Sequence, residues 1–204
     1  MTRTILVTIL IMLLSLTGCA GPNPNPGERT ADVLWSKYKH GDALEIIMPR
    51  AEAGLPWAQL RLGVAYELGK GVPKDIEKAL YWYKRAAIHK GDDKWSEGLL
   101  VGALGNPGYF NQNSDAMVAQ YQIANIYLRG EGVKKDLITA YLWAKYLSKG
   151  SAGKDVFYCC EFEGGRWILQ KEIIKTLEKI ESELNPEQKK QAETLLSNWK
   201  PSIE

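Results

Sequence analysis

An internal repeat constrains the fold of this chain more than any other feature. Residues 58–91 read AQLRLGVAYELGKGVPKDIEKALYWYKRAAIHKG, and residues 119–150 read AQYQIANIYLRGEGVKKDLITAYLWAKYLSKG. The two copies align without an internal gap, so that Trp82 falls on Trp143. Such a repeat predicts supersecondary units that bury their apolar faces by stacking on one another.

Each copy has the pattern of two amphipathic helices joined by a glycine-rich turn. Three residues spaced four apart share one face of the first helix: Ala58, Leu62 and Tyr66. Gly69 and Gly71 stand where that helix must end, because glycine adopts the left-handed conformation at little cost. Asp75 is placed to accept backbone N–H groups as the N-cap of the second helix. Each copy is therefore predicted to be a helical hairpin.

The motif A-Q-x-x-L-G-x-x-Y-x-x-G-x-G-V-x-x-D-x-x-K-A-L-x-W-Y-x-x-A-A, at residues 58–87, resembles the Sel1-like repeat, a relative of the tetratricopeptide repeat. The second copy departs from it at Ala124, where the pattern has glycine, and at Ala144 and Lys145, where aromatic or small residues are usual. The resemblance implies an all-α fold, a short α-solenoid of stacked helical hairpins. It also implies a binding scaffold and names no ligand.

The remaining segments complete the predicted organisation. The repeat region covers residues 30–150 and divides into a partial hairpin (30–54), a repeat (55–91), an insertion (92–115) and a second repeat (116–150). In residues 151–204, apolar positions from Trp167 to Leu184 predict a long helix, and Asn185 with Pro186 predicts the start of another. This C-terminal pair is expected to cap the open end of the stack, and a dimer seam is the alternative.

The N-terminus has the features of an export signal. Arg3 precedes an apolar run from Ile5 to Leu14, which is shorter than the ~20 residues of a membrane span. Residues 1–18 are therefore predicted to be a signal peptide. The sequence Leu-Thr-Gly-Cys ending at Cys19 resembles the bacterial lipobox, which implies acylation of Cys19, a flexible tether over residues 19–29 and an outer-membrane location facing the periplasm. An ordinary secretory signal is the alternative.

Two segments allow more than one interpretation. In the insertion, Trp95, Tyr109 and Phe110 belong either to a helix that fills the gap between the hairpins or to a binding loop. The adjacent pair Cys159 and Cys160 reads either as small buried apolar residues or as a reactive pair in an oxidising compartment.

The composition and the absence of catalytic motifs narrow the function classes. A net charge of +2 does not favour nucleic-acid binding, which needs a basic stripe. No H-E-x-x-H, G-x-S-x-G or phosphate-binding loop occurs, and the chain has only two histidines, His40 and His89. We therefore expect no enzymatic activity, no catalytic residue, no metal site and no cofactor.

The candidate partner surface follows from the faces that hairpin packing leaves free. On the first helix of the first copy, four residues lie off the packing face: Trp57, Arg61, Val64 and Glu67. In the second copy the corresponding region contributes Gln122, Asn125 and Arg129. These seven residues are predicted to contact a partner, with Trp95, Tyr109 and Phe110 of the insertion as the alternative site. A second possibility for Trp57 is packing around Pro56 and Ala53. Replacement of Arg61 and Asn125 together by alanine is expected to weaken binding by at least about 1 kcal/mol with almost no change in the melting temperature.

Two functions of different classes fit these expectations. The first is a membrane-anchored module that binds a protein or peptide, in its most specific form an immunity protein that neutralises a secreted antibacterial toxin such as a phospholipase. The second is a structural scaffold for an export or polysaccharide apparatus of the envelope. The sequence does not identify the partner.

Overall fold

The computed structural model describes residues 27–89, 114–151, 156–158, 166–168 and 170–203, which contain eight helices and two short strands. In chain order these are α1 (Glu28–Ser36), α2 (His40–Glu52), α3 (Pro56–Leu68), α4 (Ile76–Ala87), α5 (Ser114–Arg129), α6 (Leu137–Ser151), β1 (Val156–Tyr158), β2 (Arg166–Ile168), α7 (Gln170–Glu183) and α8 (Pro186–Leu196). Helices α1 and α2, α3 and α4, and α5 and α6 pack as pairs, and the pairs stack in chain order. This arrangement confirms the predicted solenoid of helical hairpins.

The two predicted hairpins turn through the same backbone conformation. All four turn glycines have φ between +69° and +76°: Gly69, Gly71, Gly130 and Gly132. After each turn the chain closes with one backbone hydrogen bond, from Asp75 N–H to the Tyr66 carbonyl (2.9 Å) and from Asp136 N–H to the Tyr127 carbonyl (3.0 Å). The Asp75 carboxylate accepts from the N–H of Lys78 at 2.9 Å and caps α4. The predicted glycine turns and the N-cap are confirmed.

The contact between α3 and α4 explains two departures of the second copy from the repeat motif. Tyr83 on α4 is fully buried, and its ring lies so close to Gly63 on α3 that an added Cβ would approach ring carbons to 2.5 Å. The aligned positions in the second copy are Ala144 and Ala124. Ala144 thus replaces the aromatic ring in the second copy, and Ala124 carries a methyl group where the first copy has glycine. The two departures therefore form one compensating exchange of volume.

A buried glutamine in each repeat links its hairpin to the one before. Gln59 Nε2 donates to the carbonyl of Ala51 near the end of α2 (3.2 Å), and Gln120 Nε2 donates to the carbonyl of Ala87 at the end of α4 (3.0 Å). Both glutamines are 1% exposed. Each glutamine thus donates to a carbonyl in the last turn of a helix, where intrahelical donors are lacking, and joins consecutive hairpins. The Ala51 carbonyl also accepts from the N–H of Gly54 at 3.1 Å.

The C-terminal helices pack on α6, the last repeat helix, as predicted for a capping pair. The ring of Trp199, beyond α8, meets those of Trp143 (5.1 Å) and Tyr146 (5.8 Å) edge to face. Lys145 of α6 forms an ion pair of 3.1 Å with Glu181 of α7. The Asn185 side chain caps α8, as its position before Pro186 predicts.

The start of the long C-terminal helix was predicted wrongly. Residues 166–168 form β2, which pairs antiparallel with β1 in the register Val156↔Ile168, and α7 begins only at Gln170. Ile168 is buried, so its apolar character serves the strand and not the helix. A short apolar stretch at the edge of a helical pattern does not distinguish a strand from a first helical turn.

Candidate functional site

Arg61, which the sequence predicted to contact a partner, lies instead at the centre of a buried ionic cluster. Its Nε and Nη2 atoms donate to the two carboxylate oxygens of Asp32 at 2.6 and 2.8 Å. Nη2 also donates to Glu28 at 2.9 Å, and Nη1 lies 3.8 Å from an oxygen of Asp115. The side chain of Arg61 is 0% exposed and those of its partners are 2 to 20% exposed. These four residues, the Arg61 cluster, join α1, α3 and α5.

Burial dominates the electrostatics of Asp115. It raises the pKa of this carboxyl to about 7, and the negative charges of Glu28 and Asp32 act in the same direction. The guanidinium of Arg61 opposes them by favouring the charged form. The cluster thus places three carboxyl groups around one cation.

The predicted exposure of Arg61 and Val64 is wrong, and Trp57 is buried too, in agreement with the alternative that it packs inside the protein. Their exposed fractions are 2%, 0% and 7%, and every residue from Trp57 to Ala65 is buried. The guanidinium of Arg61 lies 5.3 Å from the centre of the Trp57 ring and donates to the Trp57 carbonyl at 3.2 Å. Helical periodicity identifies the face that packs within a hairpin, but α1 and the start of α5 also meet α3. A partner therefore cannot reach these three side chains in this conformation.

The second copy keeps part of the predicted surface accessible. Gln122 and Asn125 are half-buried and Arg129 is exposed, and their spacing places them along one side of α5. We call these three residues the α5 stripe. The Asn125 amide donates to the carbonyl of Tyr121 at 2.8 Å, which orients the side chain. The stripe thus combines amide groups, which both donate and accept hydrogen bonds, with one cation.

Glu67 connects the stripe to the first repeat. One carboxylate oxygen accepts from the Tyr83 hydroxyl at 2.6 Å and the other accepts from Arg129 Nη2 at 3.2 Å. The side chain of Glu67 is 16% exposed and that of Arg129 is 39% exposed. Glu67 therefore positions Arg129 at the edge of the stripe, and little of its own surface is available to a partner.

The outer face of α4 carries an aromatic cluster that the sequence interpretation missed. The Arg85 guanidinium lies 5.7 Å from the ring centre of Tyr81 and 5.6 Å from that of Trp82, and Tyr81 is 45% exposed. Tyr81 aligns with Leu142, which is buried. The sequence does contain a signal for this cluster, because Tyr81 is aromatic where the second copy has the aliphatic residue Leu142.

Several predicted features lie outside the described residues. These are Cys19 with the signal peptide, Trp95, Tyr109 and Phe110 of the insertion, and the pair Cys159 and Cys160. Within the described ranges, no group of three histidine, cysteine or acidic side chains is arranged to hold a metal ion. No helix in those ranges combines the length and apolarity needed to cross a bilayer.

The family model described as Sel1 repeat matches residues 58–89 and 118–149. The curated relatives include the ERAD-associated E3 ubiquitin-protein ligase component HRD3B of Arabidopsis thaliana, 29% identical over 108 residues, or 50% of this chain and 18% of the relative. They also include the chitin synthase regulator SKT5 of Saccharomyces cerevisiae, 46% identical over 46 residues, or 22% of this chain and 7% of the relative. The chain therefore spans less than a fifth of either protein.

Among solved structures, the chain is similar to c5321, a protective antigen of uropathogenic Escherichia coli strains with an SLR fold. The TM-score is 0.56 and the identity 24%, over 83% of this chain and 28% of that one. At 24% identity, this similarity is evidence for a shared fold only.

The protein is therefore an α-solenoid built from helical hairpins. Its two hairpins at residues 58–89 and 118–149 are Sel1 repeats, so the resemblance deduced from the motif is confirmed. Sel1 repeats indicate a protein–protein interaction module and are generally non-catalytic scaffolds.

Proposed function

We propose that this chain is a lipid-anchored, non-enzymatic module of the bacterial envelope that binds another protein through the α5 stripe. The observation that carries the proposed binding site is the contrast between the two repeats. Position 61 is closed by carboxylates from α1, whereas its counterpart Gln122 lies half-buried in line with the exposed Arg129. The amide groups of the stripe can both donate and accept hydrogen bonds, so they suit a polar peptide segment. Arginine, the third residue type of the stripe, is enriched among residues that dominate binding energy.

The names of two relatives support an accessory role. HRD3B is described as a component of a ligase and SKT5 as a regulator of a synthase, so each name refers to a protein that acts with an enzyme. We propose by analogy that this chain also acts on a partner and performs no chemistry itself. In the most specific form of this proposal, the chain is an immunity protein that neutralises a secreted toxin such as a phospholipase. The alternative is a scaffold for an export or polysaccharide apparatus.

The stripe is tested by the double substitution Gln122→Ala and Arg129→Ala. The partner is first captured by chemical crosslinking in detergent-solubilised envelope, identified by mass spectrometry and produced in pure form. Calorimetric titration is then expected to show at least about a tenfold loss of affinity, which is ~1.4 kcal/mol. The free energy of unfolding should change by only about 0.5 kcal/mol for each substitution, because these side chains reach solvent.

The control for this experiment is Tyr81→Ala on the outer face of α4, which also removes a partly exposed side chain. It is expected to leave the affinity unchanged. Full affinity in the stripe variant together with a loss in Tyr81→Ala would move the binding site to the aromatic cluster of α4.

The anchor is tested separately with Cys19→Ser. This substitution removes the thiol that the lipobox resemblance identifies as the acylated group, so incorporation of a labelled fatty acid should stop and the protein should leave the membrane fraction. Substitution of Cys159 is the matched control and should leave labelling intact. Continued membrane association of an unlabelled Cys19→Ser protein would contradict the lipid anchor.

A further inference from the structure

The Arg61 cluster holds more negative than positive charge. Three carboxylates from two helices meet one guanidinium: Glu28, Asp32 and Asp115. If all four groups ionise, the cluster carries two negative charges in excess. Because these side chains are shielded from water, repulsion between the carboxylates is much stronger than it would be at the surface. Retention of a proton on one carboxyl relieves this repulsion.

The three carboxyls differ in their contacts with the guanidinium. Asp32 receives two hydrogen bonds from Arg61, of 2.6 and 2.8 Å, and Glu28 receives one of 2.9 Å. Asp115 lies 3.8 Å from Nη1, which is beyond hydrogen-bond distance to that atom. Its contact with the guanidinium is the longest of the three, and burial raises the pKa of its carboxyl to about 7.

We propose that the Arg61 cluster is a pH-sensitive lock, which holds α1 and the start of α5 against α3 while Asp115 is protonated and loosens when Asp115 ionises. The lock connects segments far apart in the sequence, since Asp32 lies at the middle of α1 and Asp115 in the first turn of α5. Ionisation adds a negative charge beside Glu28 and Asp32, so the repulsion acts between α1 and α5.

Among the residues that the structure describes, the charged groups that shift the pKa of Asp115 come from two elements. They are the carboxylates of Glu28 and Asp32 on α1 and the guanidinium of Arg61 on α3. Helices α4, α6 and α7 and strand β1 also pack on α5. Within the described residues, none of these four contributes a charged side chain to the groups that shift this pKa.

The direction of the pH dependence follows from linkage. The folded protein holds the Asp115 proton up to a pKa of about 7, whereas an unfolded chain releases it near the ordinary value of 3.8. The stabilisation is therefore fully present below pH 3.8 and is lost as the pH rises through about 7. This trend is opposite to that of an aspartate held in a favourable ion pair.

The experiment compares the full chain with Asp115→Asn, which resembles the protonated carboxyl at every pH. Urea unfolding is measured between pH 5 and pH 8.5. The ratio of the wild-type unfolding constant to that of the variant is expected to rise on the order of 100-fold over this range, because one bound proton changes the constant about tenfold per pH unit up to the folded pKa. Groups common to both proteins cancel in the ratio.

Glu131→Gln is the matched control, because it removes one carboxylate whose side chain is 71% exposed. Its ratio to wild type should stay constant over the same pH range. Hydrogen exchange corrected for the intrinsic rate should show faster exchange in α1 and the first turn of α5 at pH 8.5 in the wild type, and no such change in Asp115→Asn.

A direct titration keeps the proposal open to refutation if the variant folds poorly. Carbon-13 NMR of the aspartate carboxyls, with the Asp115 signal assigned by its absence from the variant, should give a midpoint near 7. A midpoint below 5, or a constant ratio of unfolding constants, would overturn the proposal. A midpoint near 7 with unchanged exchange in α1 would overturn the lock, because ionisation would then leave the helices in place.

Discussion

Replacement of Arg61 by alanine is expected to lower the free energy of unfolding by about 3–5 kcal/mol, the range found when one partner of a buried ion pair is removed. Asp32 would remain 1% exposed and lose two hydrogen bonds, and Glu28 would lose one. A buried carboxylate without its cation carries the full cost of desolvation. Urea unfolding at pH 7 measures the effect. The sequence alone predicts almost no loss of stability on replacement of Arg61, whereas the structure predicts a large loss.

Gln122→Ala provides the control for Arg61→Ala, because the two residues occupy the same position of the repeat. Gln122 is half-buried on α5, so its replacement should change stability by about 0.5 kcal/mol. Adding Asp32→Asn to Arg61→Ala should recover part of the loss by removing the orphaned charge. A loss below about 1 kcal/mol in Arg61→Ala would mean that the cluster does not hold α1 to α3.

The second large effect is expected at the contact of Tyr83 with Gly63. Tyr83→Ala should cost about 3–5 kcal/mol, because it removes a fully buried ring and the hydroxyl that donates to Glu67. Gly63→Ala alone should cost about 1–3 kcal/mol, since its new methyl group meets ring carbons at 2.5 Å. In the Tyr83→Ala background the same change should become neutral or favourable, because alanine is the better helix former by about 1 kcal/mol.

A double-mutant cycle measured by urea unfolding isolates this coupling. The second repeat supplies the control, since Ala124 and Ala144 already form the corresponding alanine pair. Ala124→Gly is expected to cost about 1 kcal/mol through helix propensity and ~0.8 kcal/mol more through the loss of its buried methyl group. Additive effects of Gly63→Ala and Tyr83→Ala would show that the glycine is not required by the ring.

Local features of the fold were predictable from the sequence because their causes lie within a few residues. Gly71 and Gly132 occupy left-handed turns that glycine adopts at little cost, and the Asp75 carboxylate meets an N–H only three residues further on. The repeat itself predicted the stacking, because a single hairpin leaves an apolar face in water.

The candidate site was less predictable because it depends on contacts between distant segments. Arg61 meets partners on α1 and at the start of α5, and these partners lie outside both copies of the repeat. Periodicity could not reveal which additional helix covers the second face of α3. It did find Gln122 and Arg129, which lie where the packing of the second hairpin leaves α5 accessible.

The glutamine bonds between hairpins bear on how such a chain accommodates added sequence. The bond from Gln59 to Ala51 spans 8 residues and the bond from Gln120 to Ala87 spans 33, yet each ties a first helix to the end of the preceding hairpin. The entropy of closing a loop grows only as the logarithm of its length, by about 0.6 kcal/mol per doubling, so two doublings amount to ~1.2 kcal/mol. The junction between hairpins can therefore accept an inserted segment, through evolution or engineering, with only a small loss of folding free energy.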